Sequence, residues 1–431
     1  MRRGKVNIIT LGCSKNLVDS EMLLNQLDLN GFKVVHDSEK DDANIVILNT
    51  CGFIADAKEE SINTVLNFVD ARKAGKLDKL LVMGCLSARY KKELTEEMPE
   101  VDKFYGKFDF KEIVKDLNAT FYEQKMYHRV QTTPSHFAYL KISEGCNRHC
   151  SFCAIPQFTG NHKSRSIESL LEEASKLVAG GVKELLVIAQ DLSYYGIDMY
   201  GESKLAELID KLADIEGLEW IRLHYAYPSK FPLELLKVIR ERDNVCKYLD
   251  IPLQHITDRM LGMMRRKITR EETIELINKI RAEVPGIALR TTFLVGHPGE
   301  TEEDFEELKA FVSEYKFDRV GVFAYSSEDD TYAYKMYEDS IPQEIKEQRA
   351  DELMALQEGI SASLNEKYIG RQLKVLIDRE EEDYFIGRTE YDSPEVDGEV
   401  LIEKVSQIKI GEFYNVIIES ASEFDLFGKL I

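Results

Sequence analysis

The sequence is short of the features that mark membrane, secreted and fibrous proteins. Its 431 residues include one tryptophan and ten prolines, and no low-complexity tract. The first apolar run, residues 6–11, is shorter than a membrane span or the hydrophobic part of a signal peptide. The sequence therefore predicts a cytoplasmic globular protein with no membrane partner.

Negatively charged side chains outnumber positively charged ones. Lysine and arginine number 56 against 77 aspartates and glutamates, and the formal net charge is −21. Such a surface repels the phosphate backbone of a nucleic acid unless basic residues are concentrated in one patch. The charge therefore favours a basic protein as the partner.

The seven cysteines do not fit a disulfide framework, because an odd number cannot all pair. The cytoplasm is also reducing, which disfavours disulfides. Metal binding or catalysis is the use that this cysteine content favours.

The first predicted domain, residues 1–135, alternates short apolar strands with amphipathic helices. This pattern is typical of a doubly wound α/β domain with a parallel sheet. The predicted strands are 6–11, 44–48 and 80–83, and the predicted helices are 20–30, 56–74 and 88–98. A cysteine follows each strand within three residues: Cys13, Cys51 and Cys85, here called the amino-terminal triad. Because the carboxyl ends of parallel strands face one crevice, we expect these thiols to converge.

The second predicted domain, residues 136–366, repeats a strand and a helix six times. This predicts a partial (β/α)6 barrel, with its chemistry at the carboxyl ends of the strands and an open side for a large substrate. The predicted strands are 137–142, 184–189, 220–225, 248–253, 288–295 and 320–325. The predicted helices include 167–179, 205–213, 233–242 and 302–315.

A polar helix predicted over 343–368 leads into the third predicted domain, residues 367–431. This domain has short alternating runs at 373–377, 400–402 and 414–418. Turn signals stand at Ser393-Pro394 and Asp397-Gly398. The pattern predicts a small antiparallel β-barrel.

The most informative motif follows the first strand of the second domain. Cys146, Cys150 and Cys153, here called the loop triad, are spaced C-x3-C-x2-C. Three thiolates at this spacing can hold three irons of a [4Fe–4S] cluster and leave the fourth iron without a protein ligand, open to a substrate. The alternative is a zinc site completed by His149 or His162. The series of β/α units that follows the motif favours the cluster.

The loop triad, with an aromatic residue at Phe152, resembles the signature of the radical-SAM superfamily. The two triads together, and a small barrel that resembles a TRAM domain, are similar to the methylthiotransferase family over essentially the full chain. The resemblance implies two [4Fe–4S] clusters with the six cysteines as ligands, the loop triad being the catalytic one. It also implies that one S-adenosylmethionine gives a methyl group and another a 5′-deoxyadenosyl radical. Such cofactors are needed because acid–base chemistry alone cannot replace the hydrogen of an unactivated C–H bond.

The resemblance also implies contacts to the cofactor or the substrate at the ends of the barrel strands. The predicted cofactor-binding residues are Phe152, Gln190, Arg222, Gln254 and Arg290, with Asp191, His224 and His255 as neighbouring candidates. The alternative for each strand-end residue is hydrogen bonding that closes the rim of the barrel. His297 and Thr159 depart from the family, which usually has phenylalanine and arginine there. Cys246 belongs to neither triad and is predicted to be a packing residue.

Two branches of the family differ in substrate. One modifies an adenosine of transfer RNA, and the other converts an aspartate of a small-subunit ribosomal protein to 3-methylthioaspartate. Residues 368–431 contain seven basic and fifteen acidic side chains, a net charge of −8. This charge disfavours direct RNA binding and suits a basic ribosomal protein, free or within the ribosome. Residues 225–228, YAYP, and 250–256, DIPLQHI, also resemble the ribosomal-protein branch.

The resemblance implies an electron donor such as flavodoxin or ferredoxin. A competing class is a non-enzymatic iron–sulfur protein, either an electron carrier or an RNA-binding sensor. That class predicts closed clusters and no cleavage of S-adenosylmethionine.

Overall fold

The computed structural model describes residues 4–40, 42–404 and 408–431. The chain forms two compact units. The first contains Met1–Thr133, Glu144–Asn147 and Cys153–Lys163, and the second contains Pro134–Ser143, Arg148–Phe152 and Ser164–Ile431. In the described residues, no helix combines the length and the apolar character that crossing a membrane requires.

The first unit is built on a five-stranded sheet. Its strands are β1 (Lys5–Thr10), β2 (Lys33–His36), β3 (Ile45–Thr50), β4 (Lys79–Gly84) and β5 (Lys103–Phe104). They are all parallel and lie in the order β2-β1-β3-β4-β5. Its helices are α1 (Ser14–Asp28), α2 (Ala55–Lys73), α3 (Cys85–Arg89), α4 (Lys91–Glu97), α5 (Phe110–Asp116), the 3-10 helix Glu123–Lys125 and α6 (Ile155–Thr159). The predicted α/β fold with a parallel sheet is confirmed.

Helix α1 begins at Ser14, six residues before the predicted start. The reason is that its first turns bury polar side chains, including Asn16 and Asp19. These residues interrupt the apolar periodicity from which a helix is predicted. The early start places Cys13 at the N-terminus of the helix.

The second unit contains a six-stranded parallel sheet. Its strands are β6 (Phe137–Lys141), β9 (Glu184–Ile188), β10 (Trp220–Leu223), β11 (Val245–Asp250), β12 (Ala288–Val295) and β13 (Arg319–Ala324). Their order is β13-β12-β11-β10-β9-β6. Two short strands, β7 (Ser143–Glu144) and β8 (Lys163–Ser164), flank the loop triad in the chain. The helices are α7 (Ile167–Ala179), α8 (Ile197–Tyr200), α9 (Leu205–Ala213), α10 (Glu234–Glu241), α11 (Asp258–Met263), α12 (Arg270–Glu283), α13 (Glu302–Tyr315), α14 (Tyr332–Met336), α15 (Gln343–Asn365) and the 3-10 helices Leu192–Tyr194 and Glu366–Tyr368.

A small closed barrel completes the second unit. Its strands are β14 (Gln372–Glu380), β15 (Tyr384–Arg388), β16 (Val400–Glu403), β17 (Phe413–Ala421) and β18 (Leu426–Leu430), in the order β14-β15-β16-β18-β17. Four neighbouring pairs are antiparallel, as predicted, but β16 and β18 are parallel. A closed ring with an odd number of strands cannot alternate direction at every neighbour, so one parallel pair is required.

A buried ionic network joins the six-stranded sheet to the small barrel. The Glu184 carboxylate accepts a hydrogen bond from Arg222 Nε at 2.7 Å and another from Arg388 Nη2 at 2.7 Å. The remaining guanidinium nitrogens of Arg222 donate to the carbonyl oxygens of Glu390 and Thr389. Burial opposes ionisation of Glu184, but the two arginines outweigh it and hold the pKa of this carboxyl below its usual value.

We expect Glu184→Gln to destabilise the second unit by about 3–5 kcal/mol, because it leaves two buried guanidinium groups without their shared charge. The measurement is denaturant unfolding followed by the fluorescence of Trp220, whose ring lies 4.8 Å from that of Phe413 in the small barrel. Glu219→Gln is the matched control. The Glu219–Lys374 pair also links the domain of the six-stranded sheet to the small barrel, but it lies at the surface. An ion pair at the surface contributes about 1 kcal/mol or less. Equal effects of the two substitutions would contradict the prediction.

Candidate active site

The amino-terminal triad lies at the carboxyl edge of the first sheet. Cys13 follows β1, Cys51 follows β3, and Cys85 begins α3 directly after β4. Since these three strands are neighbours, each delivers one thiol to the same edge. Cys85 is near enough to the other two thiols for their charges to raise its pKa. The structure thus brings together three cysteines that are far apart in the sequence.

Gly12 makes the close approach of two cysteine segments possible. Its backbone has a φ of +90°, which favours glycine. A Cβ at this position would lie 2.6 Å from Cys51 Cβ and 2.8 Å from Cys51 Sγ. Three sulfur donors at one edge of the sheet fit an iron–sulfur cluster held by three thiolates.

Asn16 connects all three cysteine segments, although the sequence pattern did not single it out. Its Nδ2 donates to the carbonyl oxygens of Leu11 at 3.0 Å and Thr50 at 3.3 Å. Its Oδ1 lies 3.6 Å from the Cys85 thiol, which donates to it. Because Asn16 is fully buried, these bonds fix the loops on which the thiols stand.

Lys107 places a buried positive charge beside the amino-terminal triad. Its Nζ lies 3.7 Å from Glu144 Oε2 and 3.8 Å from Asp19 Oδ2. Burial opposes its charged form, but Glu144, the Cys85 thiol and Asp19 together hold the pKa of Lys107 above its ordinary value. A single lysine in a Gly-Lys-Phe context carries no sequence signal of this placement.

The surroundings of the three thiols make them ionise differently. Burial raises the pKa of Cys51, and it raises that of Cys85 to about 12 although Lys107 opposes the shift. Cys13, which follows β1, is exposed. There the surrounding protein opposes ionisation, but Lys15 and Lys107 outweigh it and lower the pKa of the thiol. Iron binding would therefore release protons, chiefly from Cys51 and Cys85.

Among the residues that the structure describes, no three histidine, cysteine or acidic side chains meet at a point where a single metal ion could bind. In a four-iron cluster each thiolate binds a different iron. The ligands of such a cluster surround it and do not meet at one ion.

We expect Lys107→Met to lower the iron content of reconstituted protein from about eight toward about four atoms per chain, with the loss confined to the amino-terminal triad. The reason is that three thiolates and two carboxylates would then face one another without the buried ammonium. Iron analysis and the thermal unfolding of the apoprotein are measured together. Lys103→Met, which removes a surface ammonium beside Asp116, is the control. Full iron content in Lys107→Met would show that this charge is dispensable for the cluster.

The thiol of Cys150 lies against two residues of the second unit. Its Sγ is 3.3 Å from Arg266 Nη1 and 3.8 Å from the Tyr227 hydroxyl. Tyr227 in turn donates to the carbonyl oxygen of Arg266 at 2.7 Å. Arg266 thus donates a charge-assisted hydrogen bond to this sulfur. Sequence reasoning noted Tyr227 only within the YAYP segment and missed Arg266.

Cys146 is buried, and Cys153 is half-buried. Phe152, the aromatic residue of the motif, packs in an apolar cluster with Met260, Met264, Leu294 and Tyr325. His149 is exposed and His162 is buried.

His297 is a neutral, buried ring beside Ser151, the residue that follows Cys150. Burial lowers its pKa to about 4. Its Nδ1 donates to the Pro298 carbonyl oxygen at 3.0 Å, so Nε2 accepts from the Ser151 hydroxyl at 3.1 Å. His297, which stands where the family usually has phenylalanine, therefore keeps an uncharged ring at this position. It also adds a hydrogen bond to Ser151, the residue that follows Cys150. Thr159, the other departure, donates its hydroxyl to Ile155 O at the end of α6.

The remaining predicted cofactor contacts lie on or after strands of the six-stranded sheet. Gln190 follows β9, and Gln254 follows β11 with a φ of +76°. Arg290, on β12, donates to Asp250 at 3.3 Å and to Asp397 at 3.2 Å. Arg222 is fully buried, and its three guanidinium nitrogens donate to Glu184 and to the carbonyl oxygens of Glu390 and Thr389.

The neighbouring candidates have partners within the second unit. Asp191 accepts from Arg148 Nε at 2.6 Å, and His224 Nε2 lies 3.1 Å from the Ser393 hydroxyl. Burial lowers the pKa of His255 to about 3, so its ring is neutral. Cys246 is buried in a cluster with Trp220 and Tyr248, which confirms its predicted packing role.

Three family models match the chain. They describe the radical SAM superfamily at residues 140–312, the uncharacterized protein family UPF0004 at residues 5–106, and the TRAM domain at residues 369–431. Curated relatives match over the whole length. The ribosomal protein uS12 methylthiotransferase RimO of Bacteroides thetaiotaomicron is 59% identical and covers 100% of this chain and 99% of its own. RimO of Phocaeicola vulgatus is 60% identical and covers 100% of both chains.

This chain belongs to the RimO family. RimO of Porphyromonas gingivalis is 57% identical, again over the full length of both chains. Among solved structures, the radical S-adenosylmethionine methyltransferase TsrM of Kitasatospora setae has a TM-score of 0.56 at 15% identity, covering 75% of this chain and 73% of its own. The cobalamin-dependent enzyme OxsB has a TM-score of 0.52 at 14% identity, covering 82% of this chain and 56% of its own. At these identities the likeness extends to the fold alone.

Proposed function

We propose that this protein is a radical-SAM methylthiotransferase that converts an aspartate of ribosomal protein uS12 to 3-methylthioaspartate. The observation that carries the proposal is the identity of 57–60% to RimO relatives over the whole chain. The two cysteine triads supply the donor sets that this reaction needs. An unactivated C–H bond requires radical chemistry from a cofactor, since no side chain is basic enough to remove such a hydrogen.

The loop triad would hold one [4Fe–4S] cluster, and the amino-terminal triad would hold the second. When bound, these groups supply the electron that generates the 5′-deoxyadenosyl radical from S-adenosylmethionine, and the site of the sulfur that is transferred. Arg266 donates a hydrogen bond to the sulfur of Cys150, and Lys107 balances the negative charge of the amino-terminal triad. Phe152, Gln190, Gln254 and Arg290 are the residues we propose near S-adenosylmethionine.

The small barrel is proposed to bind the substrate protein. Its net charge of −8 over residues 368–431 attracts the basic surface expected of a ribosomal protein and repels RNA. An electron donor such as flavodoxin or ferredoxin and a cytoplasmic location remain part of the proposal.

The test uses full-length protein reconstituted with iron and sulfide without oxygen. Reduced protein and S-adenosylmethionine are expected to give 5′-deoxyadenosine, which an electron carrier would not produce. Ribosomal protein uS12 and transfer RNA are then offered side by side, and each is analysed by mass spectrometry. Addition of a methylthio group to uS12 alone is the expected result. Addition to transfer RNA alone would overturn the substrate, and the absence of 5′-deoxyadenosine would overturn the reaction.

A further inference from the structure

The loop that joins β15 to β16, residues 389–399, lies against the inner side of the six-stranded sheet. The carbonyl oxygens of Thr389 and Glu390 accept hydrogen bonds from Arg222 at 3.2 and 2.7 Å. Asp392 accepts from Arg319 Nε at 3.0 Å. Gly398 fits closely against the turn before β18, because a Cβ there would lie 2.0 Å from the Phe424 carbonyl oxygen. The loop is therefore fixed to both the sheet and the small barrel.

The tip of this loop reaches the carboxyl edge of the sheet. The Ser393 hydroxyl lies 3.1 Å from Nε2 of His224, the first residue after the end of β10. Asp397 accepts from the Tyr248 hydroxyl at 2.8 Å. In parallel β/α folds the carboxyl edge is where substrates bind and react. A segment of the small barrel thus stands at the edge where the chemistry is expected.

Glu395, at this tip, differs from the other acidic residues of the loop. Asp392 and Asp397 are paired with arginines, and the Glu390 carboxylate accepts from the backbone N–H of Lys247. Glu395 is exposed, and the part of the chain that the structure describes offers its carboxylate no ion pair. Its one side-chain hydrogen bond here is from the Tyr139 hydroxyl, at 3.3 Å.

The backbone of Glu395 supports a functional reason for this placement. Its φ is +70°, in the left-handed region that a residue with a long side chain rarely adopts. Strained positions of this kind are kept where the surrounding structure holds them, and they are frequent at binding sites. The anchored loop on both sides of Glu395 provides that support. The charge is therefore presented at the sheet edge on a rigid base.

We propose that Glu395 binds a lysine or arginine side chain of the substrate protein and so positions the residue to be modified. This rests on the function proposed above, and it adds a specific contact to the general attraction between an acidic barrel and a basic protein. A carboxylate at a fixed place selects substrates in which a cation stands at a set distance from the target carbon. The sulfonium of S-adenosylmethionine is the other cation that could meet this carboxylate.

The test compares Glu395→Gln with the wild-type full-length holoenzyme, with uS12 as the substrate. The KM for uS12 is expected to rise about tenfold, which corresponds to about 1.4 kcal/mol, while kcat changes less than about twofold. The KM for S-adenosylmethionine and the 5′-deoxyadenosine formed without uS12 are expected to stay unchanged. Glu395→Asp, which keeps the charge, is expected to recover most of the affinity. Glu382→Gln, at an exposed glutamate of the same barrel outside the loop, is the matched control.

Each other outcome overturns the inference in a recognisable way. An unchanged KM in Glu395→Gln would show that this carboxylate does not meet the substrate. Equal rises in Glu395→Gln and Glu382→Gln would show that only diffuse charge matters. A rise confined to S-adenosylmethionine would assign the carboxylate to the cofactor. Wild-type protein that cleaves S-adenosylmethionine but leaves uS12 unmodified would overturn the proposed function as well.

Discussion

Cys150→Ala is expected to reduce 5′-deoxyadenosine formation below detection and to lower the iron content from about eight to about four atoms per chain. The loop triad has three thiolates for one cluster, so the loss of one leaves two ligands on a short loop. The Arg266 guanidinium, 3.3 Å from this sulfur, would then face a methyl group. The measurement is chromatography of the anaerobic reaction, with iron analysis of the same sample.

Cys246→Ala is the control for the loss of a cysteine as such. Cys246 is buried among Trp220, Tyr248, Ala288 and Leu376 in the second unit, so its replacement is expected to cost about 1 kcal/mol of packing energy. It should keep full iron content and full cleavage of S-adenosylmethionine. If Cys150→Ala still produced 5′-deoxyadenosine at the wild-type rate, the loop triad could not be the catalytic site.

Cys51→Ala is expected to separate the two halves of the reaction. The variant should still form 5′-deoxyadenosine, because the loop triad is intact, but methylthio transfer to uS12 should fall below detection. Cys51 stands beside Gly12 at the carboxyl edge of the first sheet, and its replacement leaves two thiolates for the second cluster. Iron is expected to fall to about four atoms per chain. Mass spectrometry of uS12 and chromatography of the nucleoside products are made on one reaction.

Cys13→Ala and Cys85→Ala should behave in the same way as Cys51→Ala if the three thiols serve one group. Full methylthio transfer by any of the three variants would remove that residue from the site. Loss of 5′-deoxyadenosine in all three would show instead that the amino-terminal triad supports the radical step.

Much of the fold could be predicted because its periodicity is regular. The helices Ile167–Ala179, Leu205–Ala213 and Glu302–Tyr315 have the predicted bounds, since each has an apolar stripe on one face. Strand β10 ends at Leu223, two residues earlier than predicted. The residues after it leave the sheet and form part of the loop at its carboxyl edge. Apolar pattern does not distinguish a strand from its extended continuation.

Candidate site residues could be predicted only where a metal-binding residue type stands at a recognisable place in the sequence. The triads were visible because each cysteine stands at a strand end or in a short motif. Asn16 and Lys107 were not, because their roles come from burial beside groups distant in the sequence. The protein partners of Arg222 could not be predicted for the same reason. A polar residue on a barrel strand suggests a cofactor contact. Arg222 instead donates to backbone carbonyls of the loop 389–399, and only the packed structure shows that this loop lies there.

Glu184 also limits how this chain can exchange domains with its relatives. Its carboxylate is shared by Arg222 and by Arg388 of the small barrel. A TRAM domain grafted from an enzyme without the equivalent arginine and loop carbonyls would leave the buried carboxylate of Glu184 and the buried guanidinium of Arg222 without some of their partners. This would cost several kcal/mol of stability. Chimeras that exchange this domain to change specificity would therefore fold well only when Glu184 and Arg222 of the sheet and Arg388 of the small barrel are kept as a matched set.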